Sequence, residues 1–341
     1  MTDQQKDIRF NDLNRWAEEQ MLAFDMLPEA IFKIAPASDD ASFRRYFRGR
    51  DAAGDSYIFV DAPPEEENSR IFVKIAGLLA AADIHVPEVY KVDFDLGFMM
   101  LSDLGSTLYL DDVRRLGSQQ IQGLYQSAFN AMEKMKQIDC ADLPEYDEAL
   151  LRQEMQLFPD WFLVQQLGLS PDAGELAGLE AIFKLLVVNA RSQPQQFVHR
   201  DYHSRNLMVA SVNSPGVIDF QDAVRGPLTY DLVSLLKDCY WRFPRQQVIQ
   251  WVRGYWQMMG IEVEFDEFLR WFDLMGAQRH LKCAGIFCRL NLRDGKPGYL
   301  KDIPQVLDYL LEVCDSYEQM FEFGDWLRRR VLPELNSEFR S

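Results

Sequence analysis

With 341 residues, 48% of them hydrophobic and 26% charged, the chain can bury a large core and is long enough for two lobes. Its net charge of −17 excludes broad nucleic-acid binding, which needs a basic surface to displace counterions. No uninterrupted apolar run is long enough to span a bilayer, and Met1-Thr2-Asp3-Gln4-Gln5-Lys6-Asp7 holds no apolar signal core, so a cytoplasmic protein without a membrane partner is expected.

In chain order, residues 9–26 pattern as an amphipathic helix with Leu13, Trp16, Met21 and Phe24 apolar. Strand-like runs follow at 30–34, 43–48, 57–60, 88–92 and 97–101, separated by turns such as Ser38-Asp39-Asp40 and Asp51-Ala52-Ala53-Gly54-Asp55. One helix over 68–82 interrupts them, and the three glutamates before it suit a helix N-terminus. These elements predict an α+β class with a small antiparallel-sheet lobe over 1–103. After Asp103-Leu104-Gly105 the apolar period becomes helical. Helices are expected over 111–138, 147–167, 173–191, 228–241, 245–259, 264–292 and 301–320, in a mainly helical lobe spanning 104–341. The five cysteines have neither zinc nor C-x-x-C spacing and are expected as reduced, buried thiols. Nothing in the residues fixes an oligomeric state.

Within the helical region lies His199-Arg200-Asp201-Tyr202-His203-Ser204-Arg205-Asn206, followed by Val217-Ile218-Asp219-Phe220. Kinase-type phosphoryl transfer needs an Asp to accept the proton of the attacking hydroxyl, and an Asn and a second Asp to hold magnesium. Asp201 fits the base, and Asn206 and Asp219 fit the metal ligands, hard oxygen donors that suit Mg²⁺. A zinc site at His199, Asp201 and His203 would leave Asn206 and Asp219 unexplained. His199 is expected to hold the loop, and Asp231 to cap a helix and brace the loop. Asp222 reads equally as a group near the metal or a solvated turn residue.

With Gly226-Pro227-Leu228-Thr229-Tyr230-Asp231 added, the chain resembles the aminoglycoside phosphotransferase and choline kinase superfamily, whose members are small-molecule kinases of protein-kinase-like bilobal fold. The flanking text is similar to the bacterial anomeric sugar kinases: Asp40-Ala41-Ser42-Phe43-Arg44-Arg45-Tyr46-Phe47, Val60-Asp61-Ala62-Pro63-Pro64, Gln278-Arg279-His280-Leu281-Lys282 and Gly285-Ile286-Phe287-Cys288-Arg289-Leu290. That resemblance implies ATP-dependent phosphorylation of the C1 hydroxyl of N-acetylmuramate and N-acetylglucosamine in cell-wall recycling, with ATP, Mg²⁺ and an amino sugar as partners. Another small-molecule kinase, for an aminoglycoside or amino alcohol, and a nucleotide-binding pseudokinase remain alternatives.

Neither a G-x-G-x-x-G nor a Walker loop is present, and Asp61 stands at the end of the third strand where a Lys is expected. The loop 38–42, with Ser42, is the expected phosphate cover. Arg45 is the expected substitute cation, because Arg44 and Arg45 alternate in facing. Leu101 and Asp103 read as the hinge that bonds adenine. Arg279, Lys282, Ile286, Arg289 and Arg293, at steps of three, four, three and four, share one helix face. As a whole this stripe reads as a solvated basic face. Arg289 and Arg293, near its C-terminal half, are expected to reach a substrate carboxylate. Glu154, Trp161 and Asp294 are lesser candidates for the sugar.

Overall fold

A computed structural model describes residues 3–24, 32–37, 43–210, 213–335 and 339. It begins with α1 (Asp3–Ala23), β1 (Ala35–Pro36), β2 (Arg45–Arg50), β3 (Ser56–Asp61), α2 (Ser69–Ala81), β4 (Val89–Asp93) and β5 (Phe98–Ser102). Next come α3 (Tyr109–Arg115), α4 (Ser118–Met135), α5 (Glu148–Leu157), α6 (Ala173–Ser192), β6 (Gln195–Val198), β7 (Leu207–Met208), β8 (Gly216–Val217) and β9 (Val224–Pro227). The chain ends with α7 (Tyr230–Leu236), α8 (Arg245–Met258), α9 (Phe265–Asp294), α10 (Ile303–Cys314) and α11 (Phe321–Trp326).

The chain divides into two compact units. The first comprises 1–108, 123–135 and 207–221, and the second the remainder. The expected boundary at 103/104 falls just before the end of the first unit's leading run.

In the first unit, β1-β2-β3-β5-β4 form one sheet in which each pair is antiparallel. Alternation along the strands turns Phe47, Phe59, Phe98 and Met100 toward Leu13, Trp16, Ala17 and Met21 of α1, making one apolar core. Phe24, expected on the apolar face, is exposed just past the helix end. The expected strand over 30–34 is not seen at 32–34; residues 25–31 and 38–42 lie outside the described ones. Its replacement, β1, is only two residues long. The glutamates do not lie in the first turn of α2. Asn68 caps that helix, its side chain accepting from the N–H of Arg70 (3.1 Å) and Ile71 (3.3 Å).

The second unit is built around α9, a helix about 45 Å long at ~1.5 Å per residue. Every residue from Trp271 to Gly285 is buried, so no side of this stretch faces solvent. Gly285 permits the closest approach. A Cβ there would lie 2.3 Å from the Leu157 carbonyl carbon and 2.4 Å from its oxygen, so any other residue would push α9 off the end of α5. The chain beyond α5 winds as a wide-turned π-helix through Phe158–Gln166, with Pro159, which has no N–H to give, in its first turn. The expected helix over 111–138 is two helices, α3 and α4, parted at Gly117. That over 301–320 shortens to α10, preceded by a 3₁₀ turn at Pro297–Asp302. All five cysteines are free thiols, four of them buried. Among the described residues no helix is long and apolar enough to cross a membrane.

Candidate active site

β6 pairs with β9 and ends at Val198, delivering the chain into His199-Arg200-Asp201. Arg200 takes a left-handed conformation (φ 76°), which costs a non-glycine residue energy and persists only where its surroundings hold it. The bracing is visible. Asp231, in the first turn of α7, accepts from the N–H of His199 (2.7 Å) and of Arg200 (3.0 Å). Burial pushes the Asp231 carboxyl up to about 7, against the pull of these two donors. The expected brace is thus present, but α7 gains no side-chain cap from the preceding Thr229. His199 Nδ1 accepts from the N–H of Asp201 (3.3 Å), matching its expected loop-holding role.

The Arg200 guanidinium donates to Glu154 on α5 and, at 3.4 Å, to the Asp222 carbonyl. Glu154 is buried and also accepts from the Tyr146 hydroxyl and from Gln278 Nε2 (3.3 Å). Lys282 Nζ lies 3.2 Å away. Both its oxygens are engaged inside the protein, so it acts as an anchor for Arg200 and Lys282. Asp222 is an exposed turn residue.

The basic face expected on α9 is not solvated where it matters. Arg279 is 2% exposed and Lys282 5%. Charges in so fully enclosed a helix segment must be paired. Arg279 Nη1 donates to the Arg200 carbonyl (3.0 Å) and lies 3.4 Å from Asp201 Oδ1, while Lys282 Nζ donates to the Tyr230 hydroxyl (3.2 Å). Burial opposes the charge on Asp201, but Lys282 and Arg279 outweigh it and hold the carboxyl far below the usual range. Its side chain keeps 35% exposure, enough to meet a reactant. These two cations, on the face already marked in the sequence, are buried and paired, contrary to the solvated stripe the sequence suggests. The usable signal was the mainly apolar text around them: Met275, Gly276, Ala277, Leu281, Cys283 and Ala284, with only Gln278 and His280 polar beside the two cations.

The loop then turns tightly. His203 N–H donates to Asp201 O (3.0 Å), Asn206 N–H to His203 O (2.9 Å), and Asn206 Nδ2 to Asp201 O (3.0 Å). The last bond orients the amide so that its oxygen, a hard donor suited to magnesium, points away from that carbonyl. Asp238 accepts from the N–H of Ser204 (3.0 Å) and from its hydroxyl, a second brace that sequence reasoning missed. Among the described residues no group of three or more His, Cys, Asp or Glu converges on a metal position, so His199, Asp201 and His203 do not form a zinc site.

The first unit carries Asp219. The β7–β8 hairpin is anchored by a bridge from His85 to Gly216. Asp219 follows in a left-handed conformation (φ 63°), accepting from Gln221 Nε2 (2.8 Å). Phe220 packs on Phe72 of α2 with ring centroids 4.8 Å apart, which fixes the turn. A carboxylate held in this strained turn fits a hard divalent cation.

The Asp at the end of β3 has a structural account. Asp61 is fully buried and accepts from Arg9 of α1 (2.5 and 2.8 Å) and from Arg45 of β2 (2.5 and 3.0 Å), tying helix to sheet. The Arg45 fork is therefore committed to a carboxylate. Asp103 grips Arg48 through two bonds (2.5 and 2.9 Å) and accepts from Gly105 N–H (2.9 Å). Leu101 is buried in β5, opposite Ile58 on one side and Val89 on the other. Ser42 lies outside the described residues. Arg289 is half-buried with Nε lacking a partner among the described residues, and Arg293 is exposed and bonded to its neighbour Asp294 (2.7 and 2.9 Å). Trp161 is half-buried in the π-helix.

A family model described as "Phosphotransferase enzyme family" matches residues 33–270. A curated relative from Pseudomonas aeruginosa, named N-acetylmuramate/N-acetylglucosamine kinase, is 44% identical over 334 residues, covering 94% of this chain and 96% of its own. One of the same name from Pseudomonas putida is 43% identical over 331 residues, with the same coverage. Among solved structures, an ADP-bound aminoglycoside phosphotransferase aligns over 86% of this chain and 97% of its own, with a TM-score of 0.56 and 15% identity, which shows the shared fold. The chain, with its braced Asp201 loop, belongs to the phosphotransferase enzyme family.

Proposed function

We propose that this protein is an ATP-dependent kinase that phosphorylates the C1 hydroxyl of N-acetylmuramate and N-acetylglucosamine, acting in the cytoplasm in cell-wall recycling. The observation that carries this reading is the 44% identity, over 94% of the chain, to a relative named for both sugars. The site chemistry supports it. Asp201 orients the C1 hydroxyl and accepts its proton; the hydroxyl oxygen bonds to the γ-phosphorus of ATP as the bond from that phosphorus to the bridging oxygen breaks. The products are ADP and a sugar 1-phosphate. A carboxylate held ionised by Arg279 and Lys282 is a weak base, and a hemiacetal hydroxyl is acidic enough to suit one.

Asn206 and Asp219 are the residues that would hold magnesium, which neutralises charge on the phosphates when bound. The backbone around Leu101 and Asp103 would bond adenine, and the loop bearing Ser42 would cover the phosphates. Arg45 would reach a phosphate only by sharing its fork with Asp61. Of the residues expected at the acceptor, Arg289 keeps an open donor, whereas Arg293 and Glu154 are engaged elsewhere.

Phosphorus NMR of the product from ATP, Mg²⁺ and either sugar, read with a reducing-end assay, tests the reading. A phosphate at C1 abolishes the reducing end. A 6-phosphate that retains it would refute the anomeric assignment, and ADP release only with choline or an aminoglycoside would refute the substrate class.

A further inference from the structure

Arg205 stands in the catalytic loop, four residues after Asp201 and directly before Asn206. Its guanidinium lies over the ring of Tyr240, 4.7 Å from the centroid, and over that of Tyr299, at 5.6 Å. Phe287 of α9 stacks on Tyr299 at 5.5 Å and lies tilted against Tyr240 at 6.2 Å. The guanidinium is thus held among aromatic rings, within reach of the Tyr240 and Tyr299 hydroxyls, a setting that partly desolvates a cation and removes much of its rotamer freedom. Among the described residues no carboxylate lies within 4.0 Å of it. Its neighbours differ: Arg200 has Glu154, Arg279 has Asp201 and Arg293 has Asp294. Asp302 is close enough to feel the charge of Arg205 but makes no ion pair with it. A second polar group in the cluster has an atom without a hydrogen-bond partner among the described residues. His203 is buried, faces Tyr240 at 5.4 Å, and has no hydrogen-bond partner for Nδ1 among the described residues.

An ordered, half-buried guanidinium without an acid, in the loop that carries the base, is built to receive an anion from outside the chain. Resting on the functional reading above, we propose that Arg205 is the specificity residue that binds the lactyl carboxylate of N-acetylmuramate. The planar fork matches a carboxylate through two parallel bonds. Because Arg205 is not fully enclosed, an acceptor without the acid leaves it hydrated and not stranded. One site can then accept both a charged and a neutral sugar. The position was hidden in the sequence because it fills an unspecified place in the H-R-D-x-x-x-x-N pattern.

The test measures kcat/KM for N-acetylmuramate, its methyl ester and N-acetylglucosamine, on the wild-type enzyme and on Arg205→Gln, Arg205→Lys and Arg289→Gln. Esterification removes the charge and keeps the sugar. Wild type should lose about ten- to a hundredfold on the ester, mainly in KM, as expected for a charge-assisted hydrogen bond. Arg205→Gln should treat acid and ester alike, and Arg205→Lys, a point charge without the fork, should fall between. An Arg205→Gln enzyme that still separates acid from ester as wild type does would overturn the proposal. So would transfer of that behaviour to Arg289→Gln, or equal losses by Arg205→Gln on all three acceptors. Should Arg205→Gln not fold, an Arg205→Lys enzyme with undiminished separation of acid from ester overturns it equally. Failure of the wild type to turn over either sugar would refute the functional reading itself, a result distinct from the other four.

Discussion

Asp201 and Arg279 are 78 residues apart in sequence and 3.4 Å apart in the structure, and the pair governs how the proposed base behaves. Asp201→Asn keeps the shape of the loop but removes the proposed proton acceptor, so kcat should fall by about 10²–10⁴, with ATP affinity retained by calorimetry. Arg279→Met removes a cation that, with Lys282, offsets burial of the carboxylate. The Asp201 pKa should then rise, and the acidic limb of kcat/KM against pH should move to higher pH. Arg279→Lys should restore part of the shift. A limb that stays in place in Arg279→Met would show that Arg279 serves packing alone. At Asp61 the effect is on stability. Asp61→Ala leaves two guanidiniums without their acid, and with 23% and 24% of their side chains still exposed the cost should be about 3 kcal/mol, the low end for a broken buried pair. A urea titration gives the value directly. Asp201, Asn206 and Asp219 stand out as candidates in the sequence because phosphoryl transfer restricts residue type and the three lie close together. The pairings of Arg279 and Arg45 were not, since an arginine's partner depends on the tertiary fold.

At the scale of elements, α9 decides most. Gly285→Ala should drive a Cβ into the Leu157 backbone, which cannot yield as a flexible side chain would. A loss of about 1–3 kcal/mol is expected for such overpacking, together with lower activity as Arg279 and Lys282 shift. Gly254→Ala in α8 is the contrast. Nothing lies within 4 Å of its Cβ, and the change should stabilise by about 0.5–1 kcal/mol. Differential scanning calorimetry on both variants separates steric conflict from a general effect of alanine. The extent of α9 was nearly readable from its apolar period, but its burial was not, because one face carries charges that only the packed neighbours neutralise. The sheet was readable because polar turns such as Asp51-Ala52-Ala53-Gly54-Asp55 punctuate it. The break between α3 and α4 was missed because the apolar period continues past Gly117.

For the molecule as a whole, the net charge of −17 favours solubility through self-repulsion and says nothing of the cations gathered around Asp201. Net charge is a surface average, whereas Arg279 and Lys282 are enclosed. As pH falls toward the isoelectric point near 4.7, light scattering should show solubility passing through a minimum. Scattering that stays flat through that pH would mean the surface charge is distributed differently from the composition.

The single rod of α9 also limits how this enzyme can vary. Each α-helical residue turns the chain by about 100°. Deleting one residue between Arg279 and Gly285 would therefore swing every later side chain to another side of the helix, and Gly285 could not face Leu157 while Arg279 still faces Asp201. Changes of length are confined to the turn after Gly295, where α9 ends on a left-handed glycine. Grafting a different acceptor preference onto this scaffold is therefore a matter of exchanging side chains within α9 or resizing the segment beyond it, with the helical phase left intact.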